Sequence, residues 1–198
     1  MRKLAAAIGA LSIVTASMDA APSLAADAAA DFYKGKQVRV FIGNTTGGDY
    51  DSYARTISRY MPRYLPGNPT FVPTNMPGAG GIVLANHLYN VAPRDGTTMG
   101  TFSINIPNTA LFKRPNVHFD PRGFGWIGGG ELPSQVCVVM TSDKIRSADD
   151  VFKNEVLMGG AGAGSAPTFF PSVLNKLVST KFKVVDGYPG STEIILAM

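Results

Sequence analysis

The chain has 198 residues, 45% of them apolar and 10% aromatic, so a buried core is expected and an intrinsically disordered chain is excluded. Its formal net charge is +4, but the basic residues are dispersed. The stripe of Arg55, Arg59 and Arg63 is interpreted as a solvated helix face, with a nucleic-acid patch as the alternative. One cysteine, Cys137, excludes an internal disulfide framework, and its apolar neighbours predict that it is buried.

Residues 1–25 predict a signal peptide. The charged pair Arg2 and Lys3 precedes apolar residues 4–14, which are too few to span a bilayer. Small residues then precede a predicted cleavage after Ala25. We therefore expect export to the periplasm without stable membrane insertion, since no later stretch is long and apolar enough to span a bilayer. An uncleaved anchor is the alternative.

The next elements predict an α/β lobe over residues 31–115. Strands are expected at 37–44, 70–75 and 97–104, because these runs are rich in β-branched and aromatic residues. Helices are expected from Asp49 to about residue 64, where Pro62 should kink or end the helix, and at 82–90 and 105–113. Alternating strands and helices of this length are typical of a parallel sheet with right-handed crossovers.

Residues 116–134 are predicted to cross into a second lobe, 135–198, with a strand near residues 126–127 on the way. In that lobe strands are expected at 135–141, 156–158 and 182–185, and helices at 147–153, from about 166 to 177, and from about 191. The chain stops inside an apolar run, 196–198, without a helix cap. We therefore expect a fragment or a truncated gene, and an incomplete second lobe.

Glycine-rich loops after strands predict an anion site. Thr45, Thr46, Gly47 and Gly48 lie between a strand and a helix, where unpaired backbone N–H groups and the positive helix end favour an anion. A similar loop, 159–165, precedes the helix of the second lobe. We expect two facing loops that grip a carboxylate rather than a phosphate.

Several other kinds of site are excluded by the residues around these loops. Ser165 and Ala166 follow the glycines of the second loop, so neither the P-loop lysine nor the third glycine of a dinucleotide-binding loop is present. Ala163 also breaks the pattern of a serine-hydrolase elbow. His87 and His118 have no partners at metal-ligand spacing. Asp49 and Asp51 are interpreted as helix caps rather than as a general acid and base. Taken together, these patterns predict a protein without a cofactor, a metal site or a catalytic site.

Four segments carry a resemblance to a known family. GGDYDSYAR, NMPGAGGIVLANHLYNVAPRDGT, FDPRGFGWIGG and KFKVVDGYPGSTEIILAM are similar to the extracytoplasmic solute receptors of tripartite tricarboxylate transporters, the Bug or TctC-like receptors. The resemblance implies a two-lobed periplasmic binding protein, type II-like, that holds a small organic carboxylate through backbone amides and water. It also implies delivery of that solute to the permease subunits of a membrane transporter. A sensor or an exported enzyme that uses the same cleft is the alternative.

The resemblance also places the site in this sequence. The first loop becomes 45–51, with Asp51 as the family's recurrent aspartate, and the second becomes 162–165. Ser103 and Asn105, at the end of the third strand, are added because ligands bind there in open α/β sheets, although helix capping explains them equally well. The predicted ligand-binding residues are Thr45, Thr46, Gly47, Gly48, Asp51, Gly78, Ala79, Gly80, Ser103, Asn105, Gly162, Ala163, Gly164, Ser165, Tyr188 and Gly190.

Overall fold

The computed structural model describes residues 22–112, 116–129, 135–139 and 144–198. Its first element is helix α1, Pro22–Tyr33, where the sequence predicts the end of a signal peptide and an irregular lead-in. Most of the predicted signal peptide lies outside the described residues, so its cleavage stays a prediction. No helix in the described part of the chain is both long and apolar enough to cross a bilayer.

Three parallel strands form the first sheet. They are β1, Gln37–Ile42, β2, Thr70–Asn75, and β3, Thr98–Thr101, in the order β2-β1-β3. Ile42 pairs with Asn75 on one side and with Thr101 on the other. The carboxyl ends of all three strands therefore meet at one edge, which is where ligands bind in open parallel sheets.

Helices of the first half follow each strand. Helix α2, Asp49–Tyr60, gives way to a 3-10 turn, Met61–Tyr64, because the ring of Pro62 cannot continue an α-helix. Helix α3, Ile82–Asn90, has the predicted bounds, and helix α4, Ile106–Thr109, is shorter than expected.

Two parallel strands form a second sheet. Strand β4, Val156–Gly160, pairs with β5, Phe182–Asp186. The short helix α5, Asp150–Lys153, precedes this pair, α6, Ala166–Val178, connects its strands, and α7, Ser191–Ala197, follows. The prediction of an α/β fold with parallel sheets, consistent with a periplasmic binding protein, is confirmed.

Two predicted strands are wrong in their described residues. Neither 126–127 nor 135–139 forms a strand, and Cys137 is exposed rather than buried. The reason is that residues 135–139 pair with neither of the two sheets, so residues 135–138 stay exposed and only Val139 packs against a core. The last two residues of the expected 135–141 strand lie outside the described residues.

The buried core nearest the strand ends joins the two halves. It contains Ile82, Ala85, Ile106 and Phe119. The Cδ1 atom of Ile106, a fully buried residue, lies against the backbone of both Gly81 and Gly164, 3.3 and 3.1 Å from where their Cβ atoms would be. One side chain therefore supports a loop from each sheet.

We expect Ile106→Ala to reduce the free energy of unfolding by about 2–5 kcal/mol, because the cavity cannot collapse between two backbone segments. Ile195→Ala, at a side chain that is 67% exposed, is the matched control and should cost less than about 1 kcal/mol. Urea unfolding followed by circular dichroism measures both. Equal losses in the two variants would contradict this account of the core.

Candidate functional site

Four loops line one cleft at the carboxyl ends of the strands. The loops follow β1, β2, β4 and β5, so both sheets contribute, and the cleft has a volume of about 200 Å³. This is smaller than the roughly 300–1,000 Å³ of a pocket for a drug-sized ligand, so only a small molecule fits. The lining residues are Gly43, Asn44, Thr45, Pro77, Gly78, Ala79, Gly80, Ala161, Ser165, Tyr188 and Pro189.

The floor of this cleft is a contact between two backbone segments, which we call the glycine contact: residues 78–81 against residues 162–165. The amide of Gly164 donates to the carbonyl of Ala79 over 3.1 Å. A Cβ at Gly80 would lie 2.3 Å from the backbone nitrogen of Ser165. Any side chain at this point would therefore push the two segments apart.

Backbone conformation adds a second requirement at the same place. Gly80 has φ +68° and Gly162 has φ +94°, both in the left-handed region that glycine adopts without steric cost. Ala79, which lines the cleft, has φ +48°, and a non-glycine residue in this region is strained. Strained backbone of this kind concentrates at ligand sites.

Asp51 stabilises the first loop, 45–51, through a buried carboxylate. Its side chain is 3% exposed and accepts hydrogen bonds from the Gly47 amide, 2.9 Å, from Arg55 Nε, 2.9 Å, and from Asn75 Nδ2, 2.8 Å. The predicted capping geometry is wrong: the cap of α2 is Gly48, and no side chain caps it. The reason is that Asp51 lies within the first turn, from where its carboxylate reaches the amide before the cap.

These partners make Asp51 a strong acid. The Arg55 hydrogen bond is the largest cause, the Gly47 amide and the Asn75 amide add to it, and together they outweigh burial and lower the pKa of Asp51 from 3.8 to about 2. The carboxylate therefore stays ionised at neutral pH. It also occupies the Gly47 N–H group that the sequence predicts as a donor to a ligand.

Asp186 holds the second loop in a similar way. Its Oδ1 atom accepts the Gly162 amide, 3.2 Å, and the Thr168 hydroxyl, 2.5 Å. The Ser165 hydroxyl donates to the Gly162 carbonyl over 2.7 Å. Each loop thus has an aspartate that accepts one glycine amide, and the cleft lies between the two loops.

The structure brings part of the predicted site together. Six of the predicted residues line the cleft: Thr45, Gly78, Ala79, Gly80, Ser165 and Tyr188. Gly190 lies beside Thr45, since a Cβ there would be 2.6 Å from the Thr45 hydroxyl oxygen. The predicted residues outside the lining are Thr46, Gly47, Gly48, Asp51, Ser103, Asn105, Gly162, Ala163, Gly164 and Gly190.

Ser103 and Asn105 are buried after β3 rather than in the cleft lining. Each is 2% exposed. Ser103 Oγ accepts the Asn105 amide and the Tyr50 hydroxyl, both over 3.4 Å. These bonds place the two residues within the packing beneath the first loop.

Five residues that line the cleft were not among the predicted ligand-binding residues: Gly43, Asn44, Pro77, Ala161 and Pro189. Gly43 and Asn44 were assigned to the first strand, which ends at Ile42. The other three adjoin predicted glycines, and the turn-forming prolines were the signal that could have found two of them.

The cleft lining carries no charged side chain. A group of three or more His, Cys, Asp or Glu residues suited to a metal ion does not occur within the described ranges. The polar groups that remain are hydroxyls, an amide and backbone, together with the N-terminus of α6 at Ser165. Such a set can bind and orient a small polar molecule.

A comparison with known proteins identifies a partial relative. The chain is 32% identical over 99 residues to a Cupriavidus necator protein described as "UPF0065 protein in gbd 5'region". The match covers 50% of this chain and 29% of that protein, so the chain spans less than a third of the relative's length. No protein-family model matches the chain. Half of the chain thus has a homologue with the designation UPF0065. This is a designation of the Bug or TctC-like family, so the match supports the resemblance of the sequence motifs to that family.

We expect Gly80→Ala to destabilise the protein by about 1–3 kcal/mol or more, because the added methyl group meets Ser165 backbone and the backbone has positive φ. Gly125→Ala, where a Cβ meets open space, is the matched control and should change stability by less than about 1 kcal/mol. Thermal unfolding of both variants measures this. A Gly80→Ala protein as stable as the control would show that the glycine contact is loose.

Asp51→Asn should reduce the free energy of unfolding by about 1–2 kcal/mol at pH 7. The lower end of this range allows for screening of the ion pair by solvent, because the Arg55 side chain is 43% exposed. Because folding lowers this pKa, the stabilisation is present above about pH 4 and is lost as the pH falls towards 2. The difference in unfolding free energy between wild type and Asp51→Asn should therefore shrink over that range. Urea titrations at successive pH values measure it, and a difference independent of pH would contradict the assignment.

Proposed function

We propose that the protein is a Bug-type solute receptor that binds a small organic carboxylate in the cleft without transforming it. The observation that carries this proposal is the cleft itself, built from the carboxyl-end loops of two parallel sheets and lined by backbone and hydroxyl groups. A binding site between two sheets is the arrangement that domain closure around a ligand requires.

Two features favour an anionic group in this cleft. The N-terminus of the 13-residue helix α6 reaches the cleft at Ser165, and its first turn contains no acidic residue. A helix of this length presents a partial positive charge at that end. The Thr45 hydroxyl on the opposite loop can donate a hydrogen bond to a carboxylate oxygen.

The partial relative supports the same class. UPF0065 is a designation of the Bug or TctC-like family, a family of binding proteins, and the sequence motifs resemble that family independently. Periplasmic location and delivery to the permease subunits of a tripartite tricarboxylate-type transporter belong to this proposal, as consequences of the resemblance.

A sensor or an enzyme would use the same cleft. The lining offers no charged group and no nucleophile–base pair to perform catalysis, so binding alone is the better account. Incubation with candidate acids, followed by NMR of the small molecules, separates the two classes: an enzyme alters its ligand and a receptor returns it unchanged.

A thermal-shift screen of small organic acids tests the proposal, because a ligand that binds the native state raises its apparent stability. For an acid that binds, Thr45→Val should weaken the affinity about threefold to tenfold through the loss of one hydrogen bond. The isosteric control is Thr70→Val, at an exposed position at the start of β2. Calorimetry measures both variants. Loss of affinity in the control alone, or in neither variant, would contradict the proposed site.

A further inference from the structure

The outward face of α2 and of the 3-10 turn that follows it carries large apolar side chains. A helix that packs on a sheet normally exposes polar residues on its outer side. Here four side chains at helical spacing are between 38% and 84% exposed: Tyr53, Ile57, Tyr60 and Tyr64. None of them lines the cleft. Contiguous apolar surface of this kind marks an interaction site.

Two arginines lie beside these side chains. The guanidinium carbon of Arg59 is 5.8 Å from the centre of the Tyr60 ring, and that of Arg63 is 5.0 Å from it. Both distances are within the range of a cation–π contact. Because the ring already orients both guanidinium groups, less side-chain freedom is lost when a partner binds them. We call the four apolar side chains and these two arginines the tyrosine–arginine stripe.

The charges of the two arginines are not neutralised by the described residues. Arg55, one turn earlier, pairs with Asp51, but neither Arg59 nor Arg63 forms an ion pair in the described part of the chain. Residues 52–94 contain no aspartate or glutamate. Strands β1 and β2, on which α2 packs, contain none either. The stripe therefore combines an apolar surface with local positive charge.

This composition favours a protein as the partner. Tyrosine and arginine are enriched in protein interfaces and among the residues that dominate their binding energy. The planar guanidinium group matches a carboxylate through two parallel hydrogen bonds. Two arginines are few for other polyanions, since recognition of an anionic membrane uses clusters of about four to eight basic residues and binding to nucleic acid uses several phosphate contacts.

We propose that the tyrosine–arginine stripe docks an acidic segment of a partner protein. Two carboxylates of that segment bind Arg59 and Arg63, and an apolar side chain of the segment packs on Tyr60. The two arginines are four residues apart at the end of a helix, so acidic side chains at i and i+4 of a helical segment have a similar spacing. The stripe lies outside the cleft, so this inference goes beyond the proposed function and does not depend on it.

Two labelled helical peptides test the inference. Both carry leucines on one face, and they differ only in having glutamate or glutamine at neighbouring i and i+4 positions. Fluorescence anisotropy measures the binding of each to the 198-residue chain. The acidic peptide should bind about tenfold or more tightly at low salt, and this advantage should shrink as salt screens the charges. Equal affinity for the two peptides overturns the inference and leaves the proposed function of the cleft intact.

Single variants then locate the binding surface. Arg59→Gln and Arg63→Gln should each weaken binding of the acidic peptide about threefold to tenfold, because each removes one charge-assisted contact. Arg146→Gln, at an exposed arginine outside the stripe without an ion pair among the described residues, is the control and should keep the wild-type affinity. An equal loss in the control would show that the peptide responds only to net charge, and the inference would be wrong.

Reversal of the charges separates loss of binding from loss of fold. The double variant Arg59→Glu with Arg63→Glu should prefer a matched lysine peptide over the glutamate peptide, an outcome that an unfolded protein does not give. Its melting temperature should stay close to that of the wild type, since both side chains are exposed. A folded double variant that still prefers the glutamate peptide contradicts the inference.

Other partners of the stripe give different results in the same assays. Anionic phospholipid vesicles and single-stranded DNA are titrated under the same conditions, and sedimentation velocity reports self-association. We expect both polyanions to bind more weakly than the acidic peptide and the chain to stay monomeric. Tighter binding of vesicles or DNA that Arg59→Gln weakens, or a wild-type dimer that Tyr60→Ala dissociates, would assign the stripe to that partner instead and overturn the inference.

Discussion

The close approach of two backbone segments, 78–81 and 162–165, is the constraint on which the rest of this structure depends. Each segment follows a strand of a different sheet, and the hydrogen bond from the Gly164 amide to the Ala79 carbonyl joins them directly. Side chains at Gly80 or Gly162 would separate the segments and open the floor of the cleft. Ile106 fills the space beneath both, so the core and the cleft share one support.

Two aspartate carboxylates hold the loops after β1 and β4 in shape. Asp51 accepts a glycine amide of the first loop and Asp186 one of the second. The sequence predicts these amides as ligand donors, but an aspartate already holds the Gly47 and Gly162 N–H groups. The two carboxylates therefore shape the cleft without lining it, and the polar groups that line it are hydroxyls, the Asn44 side chain, backbone and the N-terminus of α6.

Local pattern was enough to predict most of the fold. Strand β2 and helix α3 have their predicted bounds because β-branched runs, prolines and glycines mark their ends. The apolar run around Cys137 has the same local character, yet 135–139 is not a strand. A strand needs a partner, and whether one is adjacent depends on tertiary pairing that the run itself does not encode.

The candidate site was predictable at the level of loops and not of atoms. Glycines after strands predicted that 45–51 faces 162–165, whereas the segment in backbone contact with 162–165 is 78–81, after β2. Thr45, Ala79 and Ser165 all line the cleft. The sequence could not indicate that Asp51 lies beneath the loop, because its role follows from Arg55 and Asn75 closing around it.

Backbone amide NMR of the 198-residue chain, titrated with a small organic acid that raises its melting temperature in the thermal-shift screen, tests the central claim most directly, since it reports both where the acid binds and whether it is altered. Saturable shifts should concentrate at residues 43–45, 77–80, 161–165 and 188–190, and the spectrum of the acid should stay that of the starting compound. Shifts confined to other surfaces, or conversion of the acid to a product, would contradict a receptor cleft at this position.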